Sequence, residues 1–244
     1  MEKLKGTYKQ IRSTGEWIDT VLAVVADNKI ITLDKLGDIY VTDPDTEESK
    51  LINNEKYTHS KFLFGVGNEV YNIDINGTLY ATKISDGSWR QVSEFANYPY
   101  TSMGVVCGEN IVTVGAKSGR TFLTYPNGEV KKISEEDYSN SKFIFGGTNY
   151  FFTIENNNLY STNPLDGTCK KIGETGAFAN TILGIGMNDK VYTLENTGVI
   201  WETDCITGEY AKIIDHSFLD TSLLFAGNNK LYAILPTGNL YEIH

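Results

Sequence analysis

The chain has 244 residues and a formal net charge of −10 at pH 7, with 23 glycines, 5 prolines and 15 tyrosines. The acidic balance argues against nucleic-acid binding, which is built on cationic neutralisation of phosphates, and an anionic membrane surface would repel the chain. No stretch approaches eighteen apolar residues, so no membrane-spanning helix or membrane insertion is expected.

The opening MEKLKGTYKQ lacks the apolar run of a secretory leader. A cytoplasmic protein is expected, or a secreted one whose leader has been removed. After it, TYKQIRS (about residues 7–13) reads as a lone strand with Lys9 and Ile11 in alternation. Six repeats follow, each beginning with an uncharged apolar run: LAVVA from Leu22, FLFGVG from Phe62, MGVVCG from Met103, FIFGG from Phe143, ILGIG from Ile182 and LLFAG from Leu223. Such runs fit strands covered on both faces. A polar turn leads to a second strand, as in VYNID and KLYAIL. A glycine- or asparagine-marked turn leads to a third strand carrying an aromatic: Tyr40, Tyr80, Phe122, Tyr160, Trp201 and Tyr241. The spacings between them, 40, 42, 38, 41 and 40, establish the repeat. The fourth strand carries a basic residue, as in SKLIN, WRQVS, VKKIS, CKKIG and YAKII. Lysine on outermost strands blocks edge-to-edge aggregation.

The sixth repeat reaches Tyr241–His244 without a fourth strand, and TYKQIRS matches the missing one: Lys9 and Ile11 correspond to Lys50/Ile52, Lys132/Ile133 and Lys212/Ile213. The expected fold is all-β: one six-bladed β-propeller over residues 1–244, of four-stranded antiparallel blades, with the N-terminal strand completing the last blade. A monomer is expected.

Catalytic signals are weak. The three histidines are His59, His216 and His244, and no nucleophile, phosphate-loop, zinc or dinucleotide fingerprint occurs. The three cysteines, Cys107, Cys169 and Cys205, cannot all pair and match no zinc spacing. We expect no catalytic residue, no metal ligand and no cofactor. A set at matched turn positions, Asp34, Asp74, Ala116, Glu155, Glu195 and Leu235, includes four carboxylates. Hard cations need several oxygens, but turn solvation explains the set better, because two members break it.

A second aromatic set is sharper. Trp17, Tyr57, Tyr98, Tyr138, Phe178 and Phe218 lie four or five residues before the first strands, in the connectors between blades. Flat rings suit the C–H faces of sugars, and polar residues that would orient a ligand stand beside them: Asp19, His59, Asn140, Asn180 and Asp220. The competing reading makes the rings wedges of core between blades. The ligand expected is a glycan or a protein, and an enzyme at the channel mouth is the remaining alternative.

SKFLFGVGNEVYNIDINGTLYATK (60–83), STGEWIDTVLAVV around Trp17 and TSLLFAGNNKLYAILPTGNLY (221–241) resemble repeats of the tachylectin-2-like and tectonin-like propeller lectins. The resemblance implies a propeller that binds N-acetylated hexosamines, multivalently, at sites between blades. Two departures stand. The chain has six repeats where the namesake has five, and the connector tryptophan occurs only at Trp17.

Overall fold

The computed structural model describes residues 6–12, 15–93, 98, 100–214 and 217–244. Within them the protein is all-β, with no helix among the described residues: six four-stranded antiparallel sheets, the blades of a six-bladed β-propeller. Strand β1 is Tyr8–Ile11. Blade 1 holds β2 (Thr20–Ala26), β3 (Lys29–Asp34), β4 (Ile39–Thr42) and β5 (Ser49–Leu51). Blade 2 holds β6 (Ser60–Val66), β7 (Glu69–Asp74), β8 (Leu79–Lys83) and β9 (Trp89–Gln91). Blade 3 holds β10 (Thr101–Cys107), β11 (Asn110–Gly115), β12 (Thr121–Thr124) and β13 (Val130–Lys132). Blade 4 holds β14 (Ser141–Gly146), β15 (Phe151–Glu155), β16 (Asn158–Thr162) and β17 (Cys169–Ile172). Blade 5 holds β18 (Thr181–Met187), β19 (Lys190–Glu195), β20 (Ile200–Asp204) and β21 (Tyr210–Ile214). Blade 6 holds β22 (Leu223–Gly227), β23 (Lys230–Ile234) and β24 (Leu240–Ile243), and β1 completes it.

Local chemistry sets the hairpins. Asp27-Asn28, Asn188-Asp189 and Asn228-Asn229 have positive φ at both residues, the geometry whose twist matches that of the flanking strands. The first strands of blades 1–5 start earlier than the apolar runs suggest. Their pairing begins at Thr20, Ser60, Thr101, Ser141 and Thr181, and a register shift separates that residue from the run. An alternation pattern cannot show a bulge that inserts one unpaired residue.

By internal contacts the chain divides into two units, residues 1–99 with 220–244, and residues 100–219. The first contains blades 6, 1 and 2, with β2 packed against both β22 and β6. A Cβ on Gly65 would lie 2.2 Å from the Val25 carbonyl oxygen, so β6 approaches β2 closely only because no side chain intervenes. The second unit contains blades 3, 4 and 5, with β14 packed against β10 and β18. There Gly146 meets the Val106 carbonyl in the same way.

In the first unit β1 pairs antiparallel with β24, from Tyr8 opposite Ile243 to Ile11 opposite Leu240. Outside the strand, the Gly6 N–H donates to the His244 carbonyl and the His244 N–H to that of Thr7, each at 2.8 Å. The paired segment is shorter than residues 7–13; residue 13 lies outside the described residues. Ile11 is fully buried with Ile30, Phe225 and Leu240. Glu242 is also fully buried, and its Oε1 meets Lys9 Nζ at 3.4 Å, Lys230 Nζ at 3.1 Å and His244 Nε2 at 2.9 Å.

Two predictions follow from this packing. Ile11→Ala should lower stability by about 2–5 kcal/mol in urea denaturation, the usual cost of emptying a filled core position, and deleting residues 1–12 should lower the midpoint further. In blade 1, Lys29 Nζ lies 2.5 Å from Asp43 Oδ2. That hydrogen bond, with those from the Thr46 and Asp45 amides, holds the Asp43 carboxyl at about 2 rather than 3.8. A depressed folded-state pKa stabilises above the unfolded value and is lost as pH falls through the folded one. Asp43→Asn should therefore flatten the fall in melting temperature between pH 4 and pH 2, leaving the curve above pH 5 parallel to the wild type.

Candidate functional site

The connectors are held by one repeated contact. The backbone N–H of each connector aromatic donates to a carbonyl in the turn between the second and third strands of the preceding blade. The pairs are Trp17 to Gly238 (3.1 Å), Tyr57 to Gly37 (2.8 Å), Tyr98 to Gly77 (2.9 Å), Tyr138 to Gly119 (2.8 Å), Phe178 to Asn157 (3.1 Å) and Phe218 to Gly198 (2.9 Å). The turn residue is glycine in five of the six and Asn157 in the other, all at positive φ. Gly37 has φ +84°, and a Cβ there would sit 2.6 Å from the Thr58 nitrogen.

This contact turns the rings inward. Trp17 (6% exposed), Tyr98 (6%), Tyr138 (4%), Phe178 (7%) and Phe218 (1%) are buried, and Tyr57 is half-buried. Trp17 packs with Ile11, Ile30 and Phe225, and Phe178 with Phe145, Ile154, Leu159 and Ile172. Tyr138 lies among Val112, Val114 and Leu123, and its hydroxyl reaches Thr162 Oγ1 at 3.1 Å. Burial pushes the Tyr138 phenol up from its ordinary pKa. Tyr57 repeats the arrangement: its hydroxyl lies 3.1 Å from Thr82 Oγ1 and accepts from Asn53 Nδ2 at 2.9 Å. The five buried rings thus serve chiefly as core.

The polar residue two positions after each ring stays at the surface. His59, Asn140, Asn180 and Asp220 are exposed, and Asp19 is half-buried in an ion pair with Lys35 at 2.6 Å. His216 lies outside the described residues. Two of the four turn carboxylates cap turns: Asp34 Oδ1 accepts the Leu36 and Asp38 amides, and Asp74 Oδ1 those of Asn76 and Thr78. Among the described residues no cluster of three or more metal-ligating side chains occurs.

Two pockets open beside the connectors, both in the first unit, and they are built from matching positions. In blade 2 a cavity of about 240 Å³ is lined by Tyr57, His59, Ser60, Asn72, Asp74, Tyr80, Thr82 and Trp89, with Glu55 and Lys56 at its edge. In blade 1 a cavity of about 390 Å³ is lined by Trp17, Asp19, Thr20, Thr32, Asp34, Tyr40, Ser49 and Lys50, with Arg12 and Glu16 at its edge. Of the residues expected from the sequence, Trp17 with Asp19, and Tyr57 with His59, are therefore brought to pockets.

Sequence reasoning passed over Trp89 and Asn72. Trp89 is 53% exposed, makes a T-shaped contact with Tyr80 at 6.0 Å between ring centroids, and lines the blade 2 pocket. The signal was an aromatic at the start of a fourth strand, masked by the basic residue beside it. Asn72 donates to Ser60 Oγ at 3.0 Å, and its row otherwise holds Thr32, Thr113, Thr153 and Thr193, with Ala233 in blade 6. In blade 2 the floor thus carries an amide in place of a hydroxyl.

No family model matches the chain, and no curated protein matches it. Solved structures match its fold. A calcium-binding protein, regucalcin, from Agrobacterium tumefaciens is similar with a TM-score of 0.63 at 12% identity, over 92% of this chain and 90% of that one. A streptogramin B lyase is similar with a TM-score of 0.60 at 9% identity, over 98% and 97%. Virginiamycin B lyase from Staphylococcus aureus is similar with a TM-score of 0.61 at 9% identity, over 92% and 80%. Identities this low carry the fold and nothing of activity.

The wedge geometry makes a prediction. Phe178→Ala should cost about 3–5 kcal/mol in denaturant melts, and Tyr138→Phe about 1 kcal/mol for one hydrogen bond.

Proposed function

We propose that this protein is a non-catalytic carbohydrate-binding propeller whose sites are the pockets beside the connectors, with the blade 2 pocket as the strongest. The observation that carries this reading is the recurrence of one pocket at matching positions in blades 1 and 2. Aromatic faces with convergent donors and acceptors suit sugars, which present apolar C–H faces and hydroxyl edges together. In blade 2 the stacking face is Trp89, and Ser60, Asn72, Asp74 and His59 supply polar contacts. The lectin-like resemblance of residues 60–83 supports the same assignment. Weak repeated sites gain avidity on clustered glycans.

The test is a glycan array followed by calorimetry on the best hit. Saturable binding is expected, with Trp89→Ala weakening it at least tenfold at unchanged melting temperature. An array with no hit, or a hit indifferent to Trp89→Ala, overturns the assignment. One observation favours a second reading as a protein-interaction scaffold. Ile18, Leu36 and Ile75, all in connectors or turns of the first unit, are 59–63% exposed. Partner capture that Leu36→Asp abolishes, and that free sugars leave unchanged, would select it.

A further inference from the structure

In the second unit, on the flank of blade 4 and bordered by blade 5, lies a cavity of about 320 Å³. Its walls include Tyr150, Phe152, Ser161, Lys170, Cys205 and Ile206. Strand pairing explains why it is empty of side chains. One row across blade 4 runs Phe152, Ser161, Lys170. The same row in blade 6 runs Tyr232, Glu242, Lys9, and in blade 5 Tyr192, Glu202, Ala211. In those blades a glutamate fills the space and meets a lysine. Glu242 lies 3.4 Å from Lys9 and 3.1 Å from Lys230; Glu202 lies 2.5 Å from Lys190 and accepts from the Tyr192 hydroxyl at 2.9 Å.

Blade 4 has Lys170 at the position of blade 6's Lys9, without the acid that faces Lys9 there; in blade 5 that position is Ala211, and Lys190 meets the glutamate instead. Serine stands in the glutamate position, so Lys170 faces a hydroxyl and a void. No carboxylate pairs with Lys170, and the Ser161 hydroxyl makes no hydrogen bond, among the described residues. Two acids also line the cavity; both Asp189 oxygens and Asp166 Oδ1 accept hydrogen bonds. Asp189 accepts the Thr148 and Asn149 amides at 2.9 and 3.1 Å and the Asn149 side-chain amide at 3.0 Å, and Asp166 accepts the Thr168 amide at 2.8 Å. The remaining wall is mixed: the Phe152 ring, the partly exposed Tyr150 and the 76% exposed Ile206 supply apolar surface, and Asn163, Thr168 and Cys205 complete it.

We propose that this cavity binds a small organic carboxylate with an apolar body. Its carboxylate takes the place that Glu202 and Glu242 occupy in blades 5 and 6, held by Lys170 and the Ser161 hydroxyl, and its body lies on Phe152, Tyr150 and Ile206. A charge-assisted hydrogen bond in a half-enclosed site discriminates strongly against a neutral isostere. The site is independent of the carbohydrate reading, which concerns blades 1 and 2.

Phenylacetate titrated into the full chain, followed by calorimetry and by amide shifts of residues 150–170, tests it. Saturable binding is expected, at least tenfold weaker for phenylacetamide and at least tenfold weaker in Lys170→Met. Ser161→Glu, which supplies the missing acid from within, should abolish binding and raise the melting temperature. Lys170→Met, at an exposed position, keeps the test sound if Ser161→Glu fails to fold. Absence of saturable binding, equal binding of the amide, or binding indifferent to Lys170→Met overturns the proposal. Competition by inorganic phosphate as strong as by phenylacetate overturns the assignment to a carboxylate.

Discussion

The connectors between blades are positioned by one repeated backbone hydrogen bond, from the connector aromatic's N–H to a carbonyl in the preceding blade's turn. A connector between packed sheets must satisfy its polar backbone while it crosses an apolar gap. Fixing that N–H on a neighbouring turn does so, and it also fixes the direction of the ring. The ring enters the core, and the residue two positions later is left at the surface. In blade 1, Trp17 is buried and Asp19 stands in the pocket wall; in blade 2, Tyr57 is half-buried and His59 is exposed. One short segment thus seals a blade and equips its flank with polar groups.

The architecture was legible because it rests on periodic signals. The third-strand aromatics, the apolar first strands and the match of Lys9 and Ile11 to the other fourth strands are properties of sequence register, and register survives divergence. The surface was less legible. Tyrosine in a connector reads equally as platform or wedge, because its ring is apolar and its hydroxyl polar. Only the hydrogen bond to Gly119 and the pocket of Val112, Val114 and Leu123 decide the matter for Tyr138. Trp89 was hidden for the opposite reason: a strand read for its charge was not read for its ring. The void in blade 4 was invisible, since Ser161 is conspicuous only beside Glu202 and Glu242 in a shared row.

Divergence among the blades is concentrated on such rows. The scaffold needs apolar first strands and small residues where backbones approach, as at Gly65 and Gly146. The third-strand position facing the outer strand carries no such demand. It holds Val41, Ala81, Leu123, Ser161, Glu202 and Glu242 in turn. Apolar choices close the flank, glutamate closes it with an internal ion pair, and serine leaves it open. A repeat fold can therefore acquire or lose a pocket by one substitution while its packing stays intact.

The pairing of β1 with β24 also orders events in time. Ile11 is synthesised roughly 230 residues ahead of its partner Leu240; at about 5–20 residues per second the strand waits on the order of 10–50 s for its place. Blades 1 to 5 can each form from contiguous chain as it emerges. Blade 6 cannot, so an apolar-backed edge strand is held unpaired beside a growing series of sheets. Its own composition suits that wait: Lys9, Gln10 and Arg12 give it charge and polarity that discourage premature pairing with another chain.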